Sequence, residues 1–72
     1  AALGPQESAL VAEWIRRLVE QGMAILLVSH DLHDVFDLSD QIAVMKNGRI
    51  VAALPKSEVT REEVLGLMIA GV

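Results

Sequence analysis

Met23-Ala24-Ile25-Leu26-Leu27-Val28 is an unbroken apolar run that stops abruptly at Ser29-His30-Asp31. Continuous hydrophobicity over this length fits a strand buried on both faces, as inside parallel sheets covered by helices. In open α/β sheets, ligands bind beyond the carboxyl ends of such strands. His30 lies at that end, and Asp31 opens a new helical pattern. The run therefore predicts an α/β fold that delivers a titratable side chain where such folds do chemistry.

Upstream of the run, Gly4-Pro5 marks a helix start, with proline suited to the first turn. Leu10, Val11, Trp14, Ile15, Leu18 and Val19 recur at helical spacing as a wide apolar stripe. Glu13, Arg16, Arg17 and Glu20 take the other face, with Glu13 and Arg17 as a favourable i,i+4 pair. Gln21-Gly22 stops the helix, Gly22 as a left-handed cap. An amphipathic helix feeding a buried strand is the second half of a βαβ unit.

Downstream, Asp31 caps a short helix with Leu32, Val35 and Phe36 inward and His33, Asp34 and Asp37 outward. Ser39-Asp40 ends it, and residues 41–46 and 49–54 flank Asn47-Gly48. That dipeptide supplies the positive φ angles of a type I′ hairpin turn. Thr60 and Glu63 form a capping box before a last helix carrying Val64, Leu65, Leu67, Met68 and Ile69. The predicted order is helix-strand-helix-hairpin-helix. One doubly buried strand needs partners on both edges and cover on both faces, and the hairpin supplies at most one edge. The sequence thus reads as the C-terminal part of a larger α/β domain.

Composition agrees with that reading. The chain has 72 residues, 53% of them hydrophobic and none of them cysteine. A chain this short buries only about 60% of its unfolded surface. Without cysteine, neither disulfides nor a thiolate zinc site can compensate. Six Lys and Arg against ten Asp and Glu leave a net charge of −4. That balance, with no basic stripe, argues against a nucleic-acid partner. The longest apolar run is far short of the ~20 residues that span a bilayer.

In order and spacing, these residues resemble the ATP-binding subunits of ABC transporters. Ala1-Ala2-Leu3-Gly4 before a helix is similar to the D-loop, a dimer-interface element of that family. Val28-Ser29-His30-Asp31-Leu32 is similar to the H-loop with its switch histidine, and residues 40–50 to the Asp-Arg-Ile-x-Val-Met-x-x-Gly-x-Ile stretch after it. The start and the Val35-Phe36 pair look most like ATPases of bacterial monosaccharide importers. The resemblance implies a P-loop NTPase-like fold, with residues 1–72 as the portion of one ATPase domain from the D-loop to its end. It also implies ATP with magnesium, a second ATPase domain, transmembrane permease subunits, an indirectly coupled solute-binding protein, and a cytoplasmic site on the inner membrane face. The Gly-x-x-x-x-Gly-Lys-Ser/Thr loop, the Leu-Ser-Gly-Gly-Gln signature and the Walker B Asp-Glu pair do not occur in the chain. Gly4 stands where many members carry Asp, so the polar contact made by that side chain is lacking. Gln41 replaces a frequent Arg.

From spacing alone, His30 fits a hydrogen-bonded strand-end histidine as well as a catalytic one. The resemblance implies contact with the γ-phosphate, where a positioned N–H stabilises spreading charge. His30, Asp31, His33, Asp34 and Asp37 look dense in metal ligands, but the two rings are expected to diverge, so no metal site is assigned. Ser29 lacks a paired base and is read as structural, Trp14 as core, and Met45 and Met68 as core or subunit-contact fillers. Two functions follow: part of an ATP-hydrolysing motor for import of a small solute, a sugar by resemblance, or a non-catalytic α/β module docking on a partner protein.

Overall fold

The described residues of the computed structural model are 4–71. They form α1 (Pro5–Glu20), α2 (Leu32–Leu38), β1 (Gln41–Lys46), β2 (Arg49–Pro55), a short 3-10 turn (Lys56–Glu58) and α3 (Arg61–Ala70). This is a small α/β piece whose sheet is one antiparallel hairpin, β1 beside β2.

Local chemistry sets most boundaries as the sequence predicts. Pro5 opens α1 where a missing N–H costs nothing. The helix ends at Gln21-Gly22, with Gly22 at φ 89°. In the hairpin, Asn47 and Gly48 hold φ 54° and 76°, the positive pair a type I′ turn requires. The Cα register runs from Gln41 opposite Pro55 to Lys46 opposite Arg49. A bulge between Val44 and Met45 leaves Val51 as the extra residue of β2. Val51 and Ala52 are consequently both half-buried against the core, which strict alternation forbids.

Thr60 accepts from the Glu63 N–H, and the Glu63 carboxylate accepts from the Thr60 N–H, closing the capping box of α3. Gly71 ends that helix in the left-handed region at φ 72°. Lys46 donates from Nζ to the carbonyls of Met68 and Ile69, satisfying acceptors the helix end would otherwise leave open. Thr60→Ala is expected to destabilise the fold by about 1 kcal/mol, the usual weight of such a cap. Thermal unfolding of both forms checks this, and an unchanged midpoint would mean that packing alone holds α3.

The core lies between the hairpin, α2 and α3. Ile42 and Val44 point inward from β1 to meet Val59 and Val64. Val64 is only 3% exposed. Leu32, Val35 and Phe36 of α2 and Leu67 and Met68 of α3 pack around them, half-buried. Residues 64, 67 and 68 share one helical face, so Leu65 and Ile69 fall outside it and are exposed.

Four sequence expectations are corrected here. Residues 23–28 form no strand, and Leu26 and Val28 are 91% and 88% exposed. A doubly buried strand needs partners at its edges and helices over both faces. The two strands present pair with each other, and α2 and α3 are occupied by the hairpin core. The βαβ half-unit is therefore not closed among the described residues. The stripe of α1 is likewise uncovered: Leu10, Val11 and Val19 are exposed, while Ile15 and Leu18 are half-buried. Trp14, expected in the core, is 58% exposed, since the main packing of α1 among the described residues is against α2 and leaves this side chain uncovered. Of the two roles read for Met45, core or subunit contact, the core one is corrected, since it lies exposed on the hairpin, whereas Met68 does pack.

Candidate functional site

His30 lies at a bend between the irregular residues 23–28 and α2, and is exposed. Two side chains flank it, each turned back on the backbone. The Ser29 Oγ accepts from the Asp31 N–H at 3.0 Å. The Asp31 Oδ1 accepts from the His33 N–H at 2.9 Å and the Asp34 N–H at 3.4 Å, capping α2. Short polar residues bond local N–H groups readily, which is why Ser-His-Asp makes a defined corner rather than a continuing helix. The structural role read for Ser29 is therefore present as a hydrogen bond.

The other end of α2 is tied down by residues distant in sequence. Lys56 donates from Nζ to the Phe36 carbonyl at 2.9 Å. The Arg61 guanidinium carbon stands 5.7 Å from the centre of the Phe36 ring, within cation–π range. On the side away from the hairpin, Arg16 of α1 bonds Asp37 at 2.6 Å. Both partners are half-exposed, so this pair contributes little to stability and chiefly sets where α1 meets α2.

The outward disposition expected of this face holds, with His33 and Asp37 exposed and Asp34 half-buried. They line an open groove between α1 and α2, with Ser8, Ala12 and Arg16 opposite. His30 is not part of that groove. Asp31 is engaged as a cap and Asp37 with Arg16, and among the described residues no three His, Asp or Glu side chains converge as metal ligands would. Long-range partners such as Arg16–Asp37, Lys56–Phe36 and Arg61–Phe36 leave no periodic trace in a sequence, and reading by pattern missed them. The Glu13–Arg17 pair, one turn apart, was legible and is formed.

Of the residues expected at a dimer interface, Ala1, Ala2 and Leu3 lie outside the described residues. Gly4 is the N-cap of α1, with φ −72° and ψ 169°. That is ordinary extended backbone, open to any residue. A Cβ added there would come 2.6 Å from the Glu7 Oε2, which a turn of the flexible Glu7 side chain relieves. The glycine is therefore not demanded by the backbone.

No family model matches the chain. No solved structure matches it. Similar curated proteins are nevertheless numerous. Ribose import ATP-binding protein RbsA 1 of Rubrobacter xylanophilus is 43% identical over 61 residues, covering 85% of this chain and 12% of its own length. The ribose import ATP-binding proteins of a Chelativorans species and of Yersinia pestis are 36% and 35% identical over 69 residues, covering 96% of this chain and 14% of theirs. The chain thus spans 12–14% of the length of these curated relatives. The likeness read from short motifs extends along almost all of the chain, which matches a fragment of a sugar-importer ABC ATPase of the ribose-import kind.

Proposed function

We propose that residues 1–72 are the C-terminal portion of one ABC ATPase domain, from the D-loop onward, in a subunit that hydrolyses ATP to energise import of a small solute, a sugar. The carrying observation is identity of 35–43% along 85–96% of the chain to proteins named for ribose import and ATP binding. Physical support comes from the exposed apolar residues. Leu26, Val28 and Trp14 have the character of a domain interior that more chain would cover.

In this reading His30 is the catalytic residue of the segment. Its exposed ring can donate an N–H to a γ-phosphate oxygen, holding the phosphoryl group and stabilising the charge that develops on it. ATP supplies the phosphoryl group whose transfer to water releases the driving free energy. Nothing among the described residues gathers the carboxylates that magnesium needs, so the metal and most of the nucleotide fall to the rest of the protein. Ala1 to Gly4 face a second ATPase domain, and transmembrane permease subunits connect the motor to a solute-binding protein. The site is cytoplasmic, on the inner face of the membrane. No helix among the described residues is long and apolar enough to cross a bilayer.

The test is ATP turnover and nucleotide affinity of the full-length protein with and without the His30 imidazole. The isolated chain, lacking the phosphate loop, is expected neither to bind ATP tightly nor to hydrolyse it. Calorimetry on the purified chain decides that, and micromolar affinity with magnesium-dependent turnover would overturn the division of labour. The alternative, a non-catalytic α/β module, draws on the same exposed run at 23–28, which would dock on a partner protein. Coding sequence upstream of Ala1 separates the two: a phosphate loop, signature and Walker B pair belong to the motor alone.

A further inference from the structure

At the corner 29–31 one side-chain-to-backbone hydrogen bond bridges His30 and a second starts at the next residue, and neither is made by His30 itself. The Ser29 Oγ holds the Asp31 N–H across the histidine, so the bonded ring spans residues 29, 30 and 31. The Asp31 carboxylate holds the His33 and Asp34 N–H groups and so anchors the same corner to α2. Because α2 is in turn pinned through Phe36 by Lys56 and Arg61, the corner is referenced to the packed core rather than to the uncovered run before it. Residues 23–28, on the amino-terminal side, make no strand contact among the described residues that could serve instead.

We propose that Ser29 and Asp31 are positioning residues for His30. Together they clamp its backbone so that the imidazole is presented at one place: the Ser29 bond spans the histidine and the Asp31 bonds anchor its C-terminal side to α2, and none consumes a ring nitrogen. This rests on the reading of His30 as the phosphate-contacting group. The chemistry needs such a clamp: a donor at a phosphoryl-transfer centre works by being in place beforehand, and a 1 Å displacement can cost on the order of 10²-fold in rate.

The test uses the full-length transporter ATPase with its permease. Ser29→Ala removes the hydroxyl, Ser29→Thr keeps one, Asp31→Asn keeps an acceptor oxygen, and Asp31→Ala removes it. Ser29→Ala and Asp31→Ala are expected to lower kcat about tenfold or more with the KM for ATP unchanged, since the ring is displaced and not lost. Ser29→Thr and Asp31→Asn are expected to restore most of it. Thr60→Ala, which removes the cap of a helix remote from the corner, controls for simple loss of stability and is expected to leave kcat at the parental value. The cycle with His30→Ala discriminates further: once the imidazole is gone, adding Ser29→Ala should lower the residual turnover no more.

If Ser29→Ala and Asp31→Ala keep parental kcat while His30→Ala is impaired, the clamp is wrong and the phosphate-contact reading survives. Effects that add fully to that of His30→Ala, or that fall on KM, also overturn the clamp. Parental turnover by His30→Ala overturns both. Where residual turnover is too low to measure, the contrast between Ala and the hydrogen-bonding replacements decides.

Discussion

His30→Ala in the full-length protein is expected to lower ATP hydrolysis on the order of 10²–10³-fold while leaving ATP affinity near the parental value. The magnitude is that of losing one preorganised donor at a site of developing negative charge. The asymmetry between rate and binding follows from the proposed role. His30 is exposed at the end of the segment. A contact with the terminal phosphate alone, as proposed, weighs on the transition state more than on ground-state binding, which the proposed function assigns to the base and phosphate-loop contacts of the full-length protein. His33→Ala is the matched control. It also removes an imidazole, three residues on, but from the groove between α1 and α2 where His30 takes no part. Turnover and nucleotide affinity measured on both variants settle the assignment. Parental hydrolysis by His30→Ala, or greater damage from His33→Ala, would move the function away from the Ser-His-Asp corner.

The second large effect concerns residues 23–28. In the isolated chain their backbone amides are expected to exchange near the unprotected rate, and the chain to self-associate, because Leu26 and Val28 are almost fully exposed and no strand partners them. In the full-length protein the same amides are expected to be slowed by roughly 10³-fold or more, as for a central strand whose opening approaches global unfolding. Amide exchange on the two forms, with sedimentation of the isolated chain, measures the difference. A monodisperse monomer with strongly protected amides at 25–28 would show that these 72 residues close their own core, and would remove the physical case for a larger domain.

Much was legible because its cause is local. Pro5, Gly22, Asn47-Gly48, the Asp31 cap and the Thr60–Glu63 box each act through a backbone angle or a hydrogen bond within four residues, and each is found where the sequence places it. The inner face of α2 was legible for the same reason, since helical spacing alone aligns Leu32, Val35 and Phe36. Of the candidate site, the order Ser29-His30-Asp31 and the capping role of Asp31 could be read directly, while the strand expected to end at His30 is not formed among the described residues.

Hydrophobic patterning reports what a segment would bury, and only the folded chain decides whether anything is there to bury it. The sequence by itself determined the turns, the caps, the hairpin register at Asn47-Gly48, the apolar stripe of α1 and the inner face of α2, because these depend on neighbours along the chain. Tertiary structure alone decided that the apolar stripe of α1 and the run at 23–28 stay uncovered, and that the bulge at Val51 turns two successive residues of β2 toward the core. It also decided that Arg16, Lys56 and Arg61 converge on α2 from three distant positions. Those outcomes turn on which surfaces meet across twenty or more residues, where no periodicity records the pairing and the entropy of closing the intervening loop must be offset by contacts that exist only in the folded state.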